Sequence, residues 1–388
     1  MSTPGSWAWL LSPACSPGSG RWASAGSSIV QIGSAVGSAL GTFARLPGRY
    51  VRILVASGAA GGISATFNTP IAGAIFAAEV ILGDFGVSHF TPVVVASVLG
   101  TAVGRSFFGT QPTFAIPEGV FHIVSVWEFL PYALLGLLAA LVALVFIRAL
   151  NTATRLFHHL EYLPAWARPA AGGALLGLVA VGFPQVLGVG YDAIETVLSP
   201  EPASPLLLLF LVMLAKVAAT SFTLGSGGSG GLLSPSLFIG VMLGSVVGSL
   251  VQGAPFATAQ SGAYAMVGMG SVLAAATHAP LTAVLMLFEL TGNYQIILAM
   301  MLSCTLATAD VQAVRPEDDL SWVMHEFERT GADEIPVVDP QEGKLLGTLR
   351  KNDVIARYNR EMLQRDMARE VHEGPRHTGL PVTVPSGR

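Results

Sequence analysis

One stretch limits what this chain can fold into more than any other. Gly225-Ser226-Gly227-Gly228-Ser229-Gly230-Gly231 lies between two apolar runs, Pro205–Phe222 and Leu232–Val251. Seven small residues in succession cannot sustain a helix, because glycine costs about 1 kcal/mol per helical position relative to alanine. Leu232-Leu233-Ser234-Pro235 follows, and proline suits a first helical turn, so a helix is expected to restart near Pro235. An apolar block interrupted by bare backbone survives in a bilayer only where it is buried in protein or lines a wet cavity. The free N–H groups of the restarted helix carry partial positive charge. That is an anion site made of backbone, with no charged side chain required. The plainer reading is that a run of small residues lets helices pack closely.

A bilayer is the right setting. Of the 388 residues, 52% are hydrophobic and only 11% charged, with a mean hydropathy of +0.61, against about a quarter charged in soluble domains. Between Ile53 and Leu302 the Lys and Arg residues are Arg105, Arg148, Arg155, Arg168 and Lys216. From Asp310 onward the composition is that of a soluble protein, so the net charge of −4 averages two unlike regions. The 2 cysteines, Cys15 and Cys304, form neither a disulfide framework nor a metal motif. Residues 1–28 read as an irregular N-terminal segment without the basic start and apolar core of a signal peptide.

The apolar segments are Ile29–Phe43, Val51–Phe67, Ile71–Leu82, Thr91–Val103, Leu130–Leu150, Ala170–Val186, Pro205–Phe222, Leu232–Val251, Ala263–Ala276, Leu281–Thr291 and Ile296–Ala307. Several fall short of the ~20 residues that span a bilayer. Arg45, Arg49 and Arg52 mark one loop as a cytoplasmic candidate. There is also an internal repeat. Gly58 through Asn68-Thr69-Pro70 to Glu79 matches Gly268 through His278-Ala279-Pro280 to Glu289, and Gly33, Gly37 and Gly41 echo Gly240, Gly244 and Gly248. In that pairing Ser28 corresponds to Pro235. Matching broken helices in two halves point to a site between them. The expected fold is an all-α polytopic membrane domain with an inverted repeat and broken helices, followed by a small α/β module.

The motifs Ile29-Val30-Gln31-Ile32-Gly33-Ser34, Gly58 to Pro70, Gly225 to Pro235, Gly268-Met269-Gly270 and Pro280 to Tyr294 occur in an order that resembles the CLC family of chloride channels and proton-coupled chloride transporters. The resemblance covers about Ile29 to Ala307. It implies a homodimer in the lipid bilayer, each subunit with its own anion pathway. It also implies that Leu232 and Leu233 offer backbone N–H groups to chloride. Gly231 beside them is a further backbone candidate, and Ser28, Ser229 and Pro235 are pore-lining candidates; the serine that contacts chloride in the family lies in an earlier motif. The family's gating glutamate would fall in Ser24-Ala25-Gly26-Ser27-Ser28, which has no carboxylate. The acid of its proton-coupled members falls on Val80. The helices that precede Ile29 in the family and the pore-tyrosine helix after Ala307 have no counterpart in this reading. Passive, channel-type chloride conduction is therefore the expected function, in a voltage-gated channel family. The alternatives are proton/chloride antiport or an inactive shortened product.

Glu79 within an apolar half-helix is either functional or a structural acid near a membrane face, and its repeat mate Glu289 favours the structural role. His278 reads as an end-of-helix residue. Beyond Ala309, Val311–Pro316, Ile335–Asp339 and Lys344–Leu349 read as strands, Leu320–Thr330 as a helix, and Asp353 opens a last helix. The order resembles a single CBS motif over 310–360, with a polar tail over 361–388. In it Asp353 matches a ribose-binding acid, so an adenine nucleotide is a possible ligand and no other cofactor is expected. The resemblance places the protein in a bacterial-type plasma membrane with this module cytoplasmic. No nucleic-acid partner and no enzymatic activity are expected. The remote alternative is an intramembrane serine protease with Ser229 as nucleophile and His278 as base.

Overall fold

The structure is a computed structural model. It describes residues 25–309 except 84, 111–112, 115–120, 122, 160–163, 165–166, 200–204, 229 and 253–257, and beyond them residues 323, 334–338, 345–350, 353–355 and 357. The chain divides into two units, Met1–Ala309 and Asp310–Arg388.

The first unit is helical. Its order is α1 (Ala25–Phe43), α2 (Gly48–Phe67), α3 (Pro70–Phe76, continued by a π-helical turn at Ala77–Leu82), α4 (Val87–Phe108), α5 (Phe129–His159) and α6 (Arg168–Gly182). Then come α7 (Tyr191–Leu198), α8 (Leu206–Gly225), α9 (Leu233–Val251), α10 (Ser261–Thr277), α11 (Pro280–Thr291) and α12 (Ile297–Ala307). Among the described residues, five helical stretches are long and apolar enough to cross a membrane. Val98, Leu99, Leu130, Leu178, Val181 and Leu207 lie on the outside, as expected where lipid rather than water is the solvent. The centre is α9 packed on α10. From Leu233 to Ser245 every residue of α9 is buried, and Tyr264 of α10 stacks on Tyr132 of α5 with ring centroids 4.5 Å apart.

The glycine stripes explain the two closest helix pairs. A Cβ on Gly33 would fall on the carbonyl of Gly58, and one on Gly240 on the carbonyl of Gly268. So α1 packs on α2 as α9 packs on α10, backbone against backbone, the use small residues have in membrane helices.

The repeat holds in dihedral detail. Asn68 ends α2 at φ 57°, ψ 34° and Thr69 follows at −120°, 76°; His278 ends α10 at 53°, 36° and Ala279 follows at −130°, 77°. Each break then starts a helix with proline in its first turn, where the missing N–H is no loss. Asn and His are among the residues that best tolerate a left-handed backbone, which accounts for His278 as a helix-ending residue. The half-helices end at Gly83 (φ 67°) and Gly292 (φ 68°). The first half has one residue more between proline and glycine, and the π turn absorbs it.

As expected, α9 restarts near Pro235: it begins at Leu233, with the proline in its first turn. Two expectations need correction. Residues 25–28 are helical rather than irregular, because Ala25-Gly26-Ser27-Ser28 carries no apolar period to reveal a helix. α5 runs on to His159, well past the expected end at Leu150.

In the second unit, β1 (Glu334–Val338) pairs antiparallel with β2 (Leu345–Arg350), Glu334 opposite Arg350. These are the two expected strands within one residue at each end. Asp353–Ile355 is helical. The expected strand at 311–316 lies outside the described residues, as does all of the helix at 320–330 except Val323, which is helical and buried.

Candidate functional site

The break between α8 and α9 is asymmetric. On the α8 side the backbone is satisfied: Ser226 N–H donates to the Phe222 carbonyl (3.2 Å), Gly227 to Leu224 (3.0 Å) and Gly228 to Thr223 (3.0 Å). Gly227 sits at φ 86°, a conformation that glycine adopts at little cost. On the α9 side the first intrahelical bond runs from Ser236 N–H to the Leu232 carbonyl (3.0 Å), which also accepts from Ser236 Oγ (2.7 Å). Among the described residues, the N–H groups of Gly231, Leu232, Leu233 and Ser234 meet no acceptor, and no side chain caps the helix. Four donors at the positive end of a 19-residue buried helix therefore point out of the protein's own hydrogen-bond network, an arrangement suited to an anion.

The predicted site residues divide. Gly231 and Pro235 line a cavity of about 30 Å³ together with Gly230, Lys216, Thr220 and Thr223. Leu232 and Leu233 do not line it; Leu232 is 38% exposed and Leu233 buried. Ser28 lies in the first turn of α1, and α1 touches α9. Ile29, the next residue, lines a much larger cavity of about 1140 Å³ with Thr66, Gly188, Gly190, Tyr191 and Asp192. Ser229 lies outside the described residues. His278 is exposed at its left-handed break. Asp353 is exposed at its helix start.

Sequence reasoning missed two features. The first is Lys216, in the middle of α8 and 2% exposed. Its ammonium donates to the carbonyls of Val186 (3.0 Å) and Gly188 (2.9 Å) and lies 4.6 Å from the Phe238 ring centroid. The lone cation was visible in the sequence, but its partners are carbonyls of a loop, which leave no sequence signal.

The second is an exchange of caps between the repeat halves. The Glu79 carboxylate accepts from Thr282 N–H (2.8 Å), Leu281 N–H (3.3 Å) and Thr282 Oγ1 (2.6 Å), at the start of α11. The Glu289 carboxylate accepts from Ile71 N–H (2.9 Å) and Ala72 N–H (2.7 Å), at the start of α3. Each acid neutralises the positive end of the other half's broken helix. The structural role expected for Glu79 is thus the geometry found. The signal was present in the sequence, since both glutamates stand at the same offset from their prolines. A third carboxylate, the fully buried Glu128, ties down a loop by accepting from Val124 N–H (2.7 Å), Ser125 N–H (3.3 Å), Tyr264 OH (3.3 Å) and Ala259 N–H.

Broken, half-length helices in inverted repeats, with the uncapped N-terminus of α9 between the halves' packed helices, define the class: a multi-pass membrane transport domain. The chain belongs to the voltage-gated chloride channel (CLC) family. The family model described as "Voltage gated chloride channel" matches residues 1–311, and that of the CBS domain matches residues 304–360. A putative ClcB-like chloride channel protein of Ralstonia nicotianae is 37% identical over 297 residues, 75% of this chain and 68% of the relative. The chloride channel protein CLC-f of Arabidopsis thaliana is 37% identical over 272 residues, 66% of this chain but 35% of the relative. The ClcB voltage-gated ClC-type chloride channel of Escherichia coli O139:H28 is 32% identical over 266 residues, 68% of this chain and 62% of the relative. The chain thus spans between about a third and two thirds of these relatives. Among solved structures, a slow cyanobacterial Cl⁻/H⁺ antiporter superposes with a TM-score of 0.65 at 25% identity, over 75% of this chain and 68% of the other. A CLC-type fluoride/proton antiporter superposes with a TM-score of 0.64 at 24% identity, over 74% and 69%, and supports the fold.

Proposed function

We propose that the chain moves chloride across the membrane by passive, channel-type conduction. The observation that carries this reading is the set of unpaired N–H groups at Gly231, Leu232 and Leu233, on a buried helix start in a membrane domain. Such backbone donors stabilise a dehydrated anion by their dipoles. Ser28, Ser229 and Pro235 are the flanking pore-lining candidates.

Passive movement is favoured by the state of the membrane acids. A proton relay needs a carboxylate free to change partners. Glu79 and Glu289 are both engaged with backbone N–H groups of the opposite half, and Val80 stands where a relay acid is expected. Proton/chloride antiport is the second reading, favoured by the similarity to the cyanobacterial antiporter. One experiment separates them: chloride efflux from liposomes holding the purified chain, with a pH electrode in the bath. Chloride should follow the electrical gradient, and a pH gradient alone should drive no uphill uptake. Stoichiometric proton counterflow that disappears in Glu79→Gln would reverse the assignment to antiport, and no chloride flux at all would mark an inactive product.

We further propose a homodimer in a bacterial-type plasma membrane, with the single CBS-like module cytoplasmic. Arg45, in the turn before α2, and Arg49 and Arg52 in its first turns support a cytoplasmic face. Arg52 there donates to the carbonyls of Ile81 (3.2 Å) and Leu82 (2.8 Å), closing the end of α3. An adenine nucleotide at Asp353 is a weaker proposal, testable by equilibrium dialysis of ATP against Asp353→Ala.

A further inference from the structure

We propose that the small cavity behind the start of α9 holds a halide-sized anion against Lys216. The site differs from the Leu232–Leu233 donors, since neither leucine lines it, and it stands whether or not the chain conducts. A lysine ammonium has three donors. Two go to the Val186 and Gly188 carbonyls, and the third has no acceptor among the described residues. No described carboxylate lies within ion-pair distance, and the acids of the neighbouring α7, Asp192 and Glu195, are exposed. The Phe238 face and two carbonyl dipoles offset part of the desolvation of a charge on a residue only 2% exposed. They supply no countercharge, and a buried charge without one is strongly disfavoured.

The cavity offers a place for that countercharge. Lys216 lines it, and so does Gly231, whose N–H is also without an acceptor among the described residues. Two residues that carry positive groups, one on a side chain and one at a helix end, thus belong to the wall of one cavity. Thr220, 8% exposed, adds a hydroxyl to the wall. About 30 Å³ is room for one or two water-sized bodies. A halide fits, whereas a phosphate or an organic carboxylate does not. Gly188 lines both this cavity and the large one beside α1.

The test is anomalous diffraction from crystals of the full chain soaked in bromide, for wild type and for Lys216→Met, which keeps the length of the side chain and removes its charge. The expected result is a bromide peak beside Lys216 Nζ in wild type, with occupancy at least tenfold lower in Lys216→Met. A cavity holding only water density at saturating bromide would overturn the proposal without any variant. A peak unchanged in Lys216→Met would overturn it as well. Failure of the conduction reading would look different: no bromide at the Leu232–Leu233 donors and no efflux, while the Lys216 peak persists.

Discussion

Replacing Gly244 with valine is expected to lower the melting temperature of the membrane domain by roughly 6–12 °C. A Cβ at this position would land on the Tyr264 carbonyl oxygen and come within 2.7 Å of both Ala265 Cα and the Tyr264 carbonyl carbon. These are backbone atoms of a buried helix, so no side chain can turn aside to make room. α9 and α10 would have to move apart, and they form the centre on which α5 and α8 pack. Forcing bulk into a filled core costs about 3 kcal/mol, which for a domain of this size corresponds to a fall in melting temperature of roughly 6–12 °C. Size-exclusion profiles after graded heating in detergent would show it. Gly177 on α6 is the control, being exposed with nothing within 4 Å of an added Cβ; Gly177→Ala should leave the profile unchanged or slightly improved. A Gly244→Val protein that elutes and melts like wild type would mean that α9 and α10 are not in backbone contact.

Removing either exchanged cap is expected to have the next largest effect. Glu79→Ala leaves Thr282 and Leu281 N–H at the start of α11 without acceptors, and Glu289→Ala does the same to Ile71 and Ala72 at the start of α3. Bonds to a carboxylate are worth about 1.5–3 kcal/mol, so each single variant should lose about that much. The double variant should lose less than the sum. α3 and α11 pack against each other, and once one cap is gone the interface that positions the other is already loosened. Glutamine keeps an acceptor and drops the charge, so Glu79→Gln should fall between wild type and alanine. Thermal denaturation of wild type, the two alanine variants and their double variant in one detergent decides this, and full additivity would show the two caps to be independent.

What could be read from the sequence follows from how each feature is encoded. The two broken helices were legible because a proline and a residue tolerant of the left-handed region punctuate each one, at Asn68-Thr69-Pro70 and His278-Ala279-Pro280. The glycine stripes were legible because their four-residue spacing survives as a pattern. α7 was missed. It is eight residues long and carries Asp192 and Glu195, so neither length nor hydropathy marked it as part of a membrane domain. The last turns of α5 were missed for a related reason, since Asn151, Thr152 and Arg155 end the apolar run without ending the helix. Of the site, a helix restart near Pro235 with free N–H groups could be read from the glycine run and the proline, whereas the assignment of the donors to Leu232 and Leu233 came from the family resemblance. Lys216 could not be placed, because the loop carbonyls it holds are 28 and 30 residues away and any residue type would present them.

The exchanged caps also set an order in time. The ribosome completes α3 long before it reaches Glu289, which lies 218 residues beyond Ile71. At about 5–20 residues per second, translation needs roughly 10–40 s to deliver that carboxylate. Over this interval the Ile71 and Ala72 N–H groups must be held by water, lipid headgroups or the insertion machinery, so α3 cannot settle at its final depth. Glu79, already made, waits in turn for Thr282, 203 residues after it. Both half-helices therefore lock only when α11 emerges, and the two halves of the domain close together rather than one after the other.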